Sequence, residues 1–268
     1  MKNRFLSILL VSGVSLFFLA VIFHPVMAKD EKDNKLFTPP EIDGTYDVPG
    51  RPDVKVRVFV HKARGQGGKP VPSPTTAPVL KCDLADPDSE AEAGVTGWHL
   101  LSNWTYNLNP ASVPSTVGGG KLSQIAADSF SVWTGAIGGK VNLTRGADTN
   151  AARSKLDGQN IIAWGRTSRS ALGVTYIWYY TSTKEVADVD TIMNKSYPWS
   201  WSGSSTCAYP NSYDAQNILT HELGHWMGMD DMYTDNYINN TMYGYGSVEE
   251  AKKDTLTNGD KAGVSSIY

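Results

Sequence analysis

Residues 221–231 read HELGHWMGMDD, and the first five letters carry a possible metal chemistry. His221 and His225 are four apart, so on a helix they leave the same face about one turn from each other. Two imidazoles placed in this way suit a tetrahedral zinc ion. Glu222 adjoins the first histidine and can reach a water at the metal without being a ligand itself. A carboxylate base beside an activated water is an apparatus for hydrolysis.

A catalytic zinc needs a third protein ligand and keeps a fourth position for water. The other histidines are His24 in the N-terminal apolar segment, His61 before a Pro/Gly-rich stretch, and His99; none follows His225. No further imidazole stands near the motif, so a carboxylate is the natural candidate. In one placement Gly228 lets the chain turn sharply after the helix and brings Asp231 back towards the metal. In the other, SVEEAKKD supplies Glu249 or Glu250 from a later segment. A glycine three residues after the second histidine favours Asp231, with Asp230 as a hydrogen-bonding neighbour.

Around this motif the chain alternates strand and helix patterns. WTYNLN (104–109), KVNLT (140–144), NIIAWGR (160–166), LGVTYIWYYTST (172–183) and KEVADVDTIMN (184–194) read as strands. Leu122, Ile125, Ala126, Phe130 and Trp133 recur at helical spacing. A second helix starts near Asp214 and carries the motif, with Leu219, Leu223 and Trp226 on its buried face. TLTNGDKAGVSSIY (255–268) predicts a closing helix with Thr257 near its start. Upstream, Val54, Val56, Val58 and Val60 alternate with Lys55, Arg57 and Phe59, a strand signal, before the linker-like GQGGKPVPSPTTAPV (65–79). No internal repeat is evident.

HELGHWMGMDD fits H-E-x-x-H-x-x-G-x-x-[H/D] at every fixed position and so resembles the extended zinc signature of the metzincin metalloproteases, in the aspartate form of the snapalysin-type enzymes. Met242 in NNTMYGYG (239–246) resembles the methionine turn of that family, and TMY is similar to the M-Y-P turn of matrixins, with Gly244 in place of the proline. The likeness covers residues 97–268. It implies an α/β (α+β) zincin fold: a twisted, mostly parallel sheet with an antiparallel edge strand, an active-site helix, a Met-turn and a C-terminal helix. The implied activity is zinc-dependent endopeptidase action on a protein or peptide. His221, His225 and Asp231 would hold Zn2+, Glu222 would be the base and Met242 would underlie the metal. The main chain of Gly173, Val174, Thr175 and Tyr176 would pair with substrate, and Tyr243 would line the site. A catalytically silent, zinc-stabilised protein-binding module is the other reading, and the presence of Glu222 favours the enzyme. Asp188 and Asp190 offer either a Ca2+ site or solvated strand carboxylates.

The remaining features set the context. Lys2 and Arg4, an apolar run from Phe5 to about Phe23 and the Val26-Met27-Ala28 site predict a signal peptide over 1–28, an uncleaved anchor being the alternative. A secreted, extracellular protein follows from that leader, with no membrane association after its cleavage. The remaining chain has 22 Lys+Arg against 27 Asp+Glu and no basic run, which argues against nucleic acid. A monomer is expected. Residues 29–96 are an extension or pro-segment. The two cysteines, Cys82 and Cys207, suit a disulfide in an exported chain, the rival being a Cys82 thiolate capping the metal.

Overall fold

The computed structural model describes residues 37–64 and 79–268, which belong to one compact unit. The expected leader at 1–28 and nearly all of the linker lie outside the described residues. Five strand patterns of the sequence become β3 (Asn103–Leu108), β4 (Asn142–Asp148), β5 (Ile161–Gly165), β6 (Ala171–Tyr180) and β7 (Val186–Asn194). Upstream of them, β1 (Gly44–Val48) and β2 (Arg51–Ala63) form an antiparallel hairpin. The sheet order is β1-β2-β6-β7-β5-β3-β4, with a two-residue strand, Tyr245–Gly246, pairing with the end of β2.

From β7 through β5 and β3 to β4 the strands run parallel, whereas β6 is antiparallel to β7. The antiparallel edge of the sheet is β1. The strand whose main chain the resemblance leaves open to substrate, β6, is interior, because β2 pairs with it antiparallel from Val54 opposite Tyr180 to Lys62 opposite Ala171. The alternation in β2 explains the fit. Val54, Val56, Val58 and Val60 pack on one face with Val174, Tyr176, Trp178 and Ile192, while Phe59 joins the larger cluster on the other face. Burying four valines contributes about 1.5–3 kcal/mol each relative to exposure, an upper range for a compact unfolded reference.

Three helices cover the larger cluster: α1 (Leu122–Ala136), α2 (Ala215–Trp226) and α3 (Asn258–Ser265). Asp214 caps α2 through its carboxylate, which accepts the amides of Gln216 and Asn217. Thr257 and Asp260 form a capping box at α3. Gly228 follows the end of α2 at φ 91°, and a Cβ there would lie 2.6 Å from the Trp98 carbonyl, so the turn requires glycine.

Asp188 and Asp190 are buried rather than solvated. Asp188 Oδ2 accepts the amides of Asp157 and Gly158, and the two Asp190 oxygens accept those of Lys155 and Ile161. They brace the loop before β5, and of their four carboxylate oxygens Asp188 Oδ1 is left without a hydrogen-bond partner. Burial pushes both carboxyls up.

Asp254 lies in the 3₁₀ turn Lys252–Asp254 against α2, and neither of its oxygens has a partner. Burial, with Asp214 nearby, pushes its carboxyl from 3.8 to about 9. Across that window the folded chain holds a proton that the unfolded chain has lost, so stability falls as pH rises, by up to about 1.4 kcal/mol per unit. Asp254→Asn is expected to flatten the pH dependence of urea unfolding between about pH 5 and about pH 8. Equal slopes for the two chains would count against a neutral buried Asp254.

Candidate metal centre

The helix α2 brings His221 and His225 to one face, and the Gly228 turn carries the chain back so that Asp231 meets them. Asp231 Oδ1 lies 3.2 Å from His221 Nε2 and 3.7 Å from His225 Nε2. All three side chains are buried, at 0%, 0% and 1% exposure. Asp230, by contrast, keeps 42% of its side chain exposed, and it accepts the Asp231 amide at 3.0 Å. Glu249 and Glu250 are spent elsewhere: Glu249 binds Lys81, and Glu250 accepts the amide of Ser247.

The imidazoles are oriented by backbone carbonyls. His221 Nδ1 lies 2.7 Å from the Thr241 carbonyl and His225 Nδ1 lies 3.0 Å from that of Met229. A carbonyl can only accept, so each Nδ1 carries the hydrogen and each Nε2 presents its lone pair inward. Thr241 is held in turn from α3, where Asp260 Oδ2 accepts its amide at 2.8 Å. Burial lowers both histidines, His225 to about 4, which keeps them neutral. Burial alone would raise Asp231, but the positive charge that His225 and His221 carry at low pH outweighs it and holds the carboxyl at about 2. Tyr233 also donates to Asp231 Oδ2 at 2.9 Å. Two neutral imidazoles and one carboxylate are the protonation states a metal ion requires.

Whether this set fits zinc can be tested on its loose ends. His221 Nε2, His225 Nε2 and Asp231 Oδ1 are buried without hydrogen-bond partners and lie within 4.8 Å of one another. Unpartnered buried polar atoms are costly, and three that converge match the nitrogen and oxygen donors of a three-ligand zinc site.

Glu222 is fully buried next to this triad. Its Oε2 accepts the hydroxyl of Thr175 at 2.5 Å. The donor chain behind it is determined by chemistry: the Trp226 indole can only donate, to Thr191, whose hydroxyl then donates to Thr175. Oε1 is left without a partner. Burial pushes the carboxyl up to about 8, with the Thr175 hydrogen bond opposing. Gly173 makes room for it, since a Cβ there would meet Oε1 at 2.5 Å.

Met242 is buried beneath α2, against Gly224. A Cβ on Gly224 would lie 2.3 Å from Met242 Sδ and 2.7 Å from the Trp133 ring. Gly224→Ala is therefore expected to cost about 1–3 kcal/mol through overpacking, read as a lower melting temperature. An unchanged melting temperature would mean that Met242 yields freely. Gly244, where matrixins carry proline, admits the Tyr233 ring, which would stand 2.4 Å from a Cβ.

The residues expected to bind substrate are placed differently from one another. Thr175 points its side chain at Glu222, whereas Val174 and Tyr176 pack on the opposite face. The main chain of all four, Gly173 to Tyr176, is opposite His61, Val60, Phe59 and Val58 of β2. Tyr243 is buried, with Arg64 over its ring. Cys82 and Cys207 form a disulfide, so no thiol of this pair is free for the metal.

Two residues arrive that motif reading left aside. His61, set aside for its position before the linker, lies over His221 with ring centroids 3.8 Å apart and the planes tilted by 40°, its Nδ1 3.5 Å from Glu222 Oε1. Burial pushes this imidazole well down, so the contact is no ion pair. Lys253 is fully buried and donates to the carbonyls of Tyr243 and Tyr245, with its Nζ 3.3 Å from His61 Nε2. Only the strict alternation of β2, which places Phe59 and His61 on the face opposite the valines, hinted at an inward histidine.

The matrixin family model matches residues 98–268 of the chain. No curated protein matches it significantly.

Proposed function

Because this chain belongs to the matrixin family of zinc-dependent endopeptidases, we propose that it is a secreted enzyme that hydrolyses proteins with Glu222 as the base and His221, His225 and Asp231 as the metal ligands. The observation that carries this reading is the convergence of three unpartnered ligand atoms beside the free Oε1 of Glu222. Secretion rests on the leader pattern of residues 1–28, and no helix among the described residues is long and apolar enough to cross a membrane.

When bound, zinc supplies Lewis-acid polarisation of the scissile carbonyl and lowers the pKa of a water. The chain's own residues do the rest. Thr175 pins Oε2 of Glu222, so Oε1 is the oxygen that takes the proton of the attacking water. The same carboxyl then returns that proton to the leaving amine nitrogen. Thr241 and Met229 hold the imidazole tautomers, and Tyr233 holds the third ligand. Such outer partners orient ligands and tune their basicity.

A casein assay with chelator and zinc add-back tests this function. Loss of hydrolysis with chelator and recovery with zinc are expected. Cleavage that ignores the chelator would refute the zinc mechanism, and a zinc-binding chain with no hydrolysis in any form would favour the silent binding module.

A further inference from the structure

The peptide-binding side of the centre is filled by the chain itself. An extended peptide would reach Glu222 by adding a strand to β6, a common mode of peptide capture. That place is taken by β2, whose His61 is opposite Gly173, the residue that makes room for Glu222. The ring of Phe59 lies parallel to His225 at a centroid distance of 3.7 Å. His61 covers His221 and faces Glu222 Oε1. With both in place His221, Glu222 and His225 have no exposed surface, so neither substrate nor bulk water meets them.

A second observation shows where the occupant ends. Residues 79–96 are tied to the rest of the domain: by the Cys82–Cys207 disulfide, by Ala93 and Gly259, by Gly94 and Asp230, and by Thr96 and Gly228. The hairpin 44–63 has no cysteine, and its only covalent path to those residues runs through the Gly/Pro/Ser/Thr-rich stretch. One cut there turns the hairpin into a separate peptide and leaves the disulfide-bound strap in place.

We propose that the β1–β2 hairpin is a displaceable plug of the peptide-binding groove, in which Phe59, Val60 and His61 occupy the places of an extended substrate, and that the enzyme works once this hairpin has been cut free and has left. The proposal rests on the endopeptidase reading above. Its latch is a histidine and a phenylalanine on an added strand, braced by Lys253, rather than a thiol. The valine face and the main-chain pairing hold the hairpin after a cut, so release depends on concentration.

The test places a recognition sequence for a site-specific protease within residues 65–78 of the full chain. The intact chain is expected to hydrolyse casein at least tenfold more slowly than the cut chain after dilution. Specific activity of the cut chain is expected to rise on dilution, while that of the intact chain stays constant. A synthetic peptide of residues 44–63 restores inhibition, and a peptide carrying Phe59→Ala and His61→Ala needs at least tenfold more. Equal activity of intact and cut chains at every dilution overturns the proposal and leaves the endopeptidase reading standing. So does a fragment that never separates on non-reducing gel filtration, or a doubly substituted peptide as potent as the native one. Fluorescence anisotropy of the labelled peptide gives a readout free of catalysis. Exchange of that peptide into a cut chain with no activity supports the plug and removes the endopeptidase reading.

Discussion

Glu222→Gln is expected to lower kcat/KM for a peptide substrate by about two to four orders of magnitude, the usual worth of a positioned acid–base group. Glutamine fits the same space, and its oxygen still accepts the Thr175 hydroxyl. It cannot take a proton from water. Zinc content should stay unchanged, because the proposed ligand atoms belong to His221, His225 and Asp231. The measurement is best made on chain freed of the β1–β2 hairpin, so that a slow release step does not mask the chemistry. A rate within tenfold of the native one, or a loss of zinc, would remove Glu222 from the role of base.

Asp231→Ala is expected to weaken zinc binding by more than about 100-fold, since outer partners of a ligand alone are worth about 10–100-fold. The substitution leaves His221 Nε2 and the Tyr233 hydroxyl facing a gap. Its control is Asp230→Ala. That side chain is 42% exposed, lies 3.8 Å from Arg57 and bonds the Asp231 amide rather than its carboxylate, so its removal should change zinc affinity by less than about tenfold. Competition titration against a chelator reads both. The assignment of the third ligand fails if Asp230→Ala proves the more damaging change.

Much of the frame was legible beforehand because it rests on local rules. The helical spacing of Leu122, Ile125, Phe130 and Trp133, the capping chemistry of Asp214 and Thr257, and the β-branched runs of β5 to β7 all act within a few residues. Asp188 and Asp190 were harder. On a strand they look like solvent-facing carboxylates, and only the loop before β5, folding over that face, turns them into buried acceptors of backbone amides.

By itself the sequence determined the candidate metal-binding face: the four-residue spacing of His221 and His225, the carboxylate of Glu222 beside them and the glycine turn towards two aspartates. These follow from helix geometry and the freedom of Gly228, which no distant residue has to supply. Tertiary structure decided which aspartate turns inward, which oxygen of Glu222 is free, and that His61 and Phe59 close the centre. Those outcomes depend on pairing β2 with β6, strands far apart in the chain. Such a register is set by which faces can be buried together, and no local pattern records it.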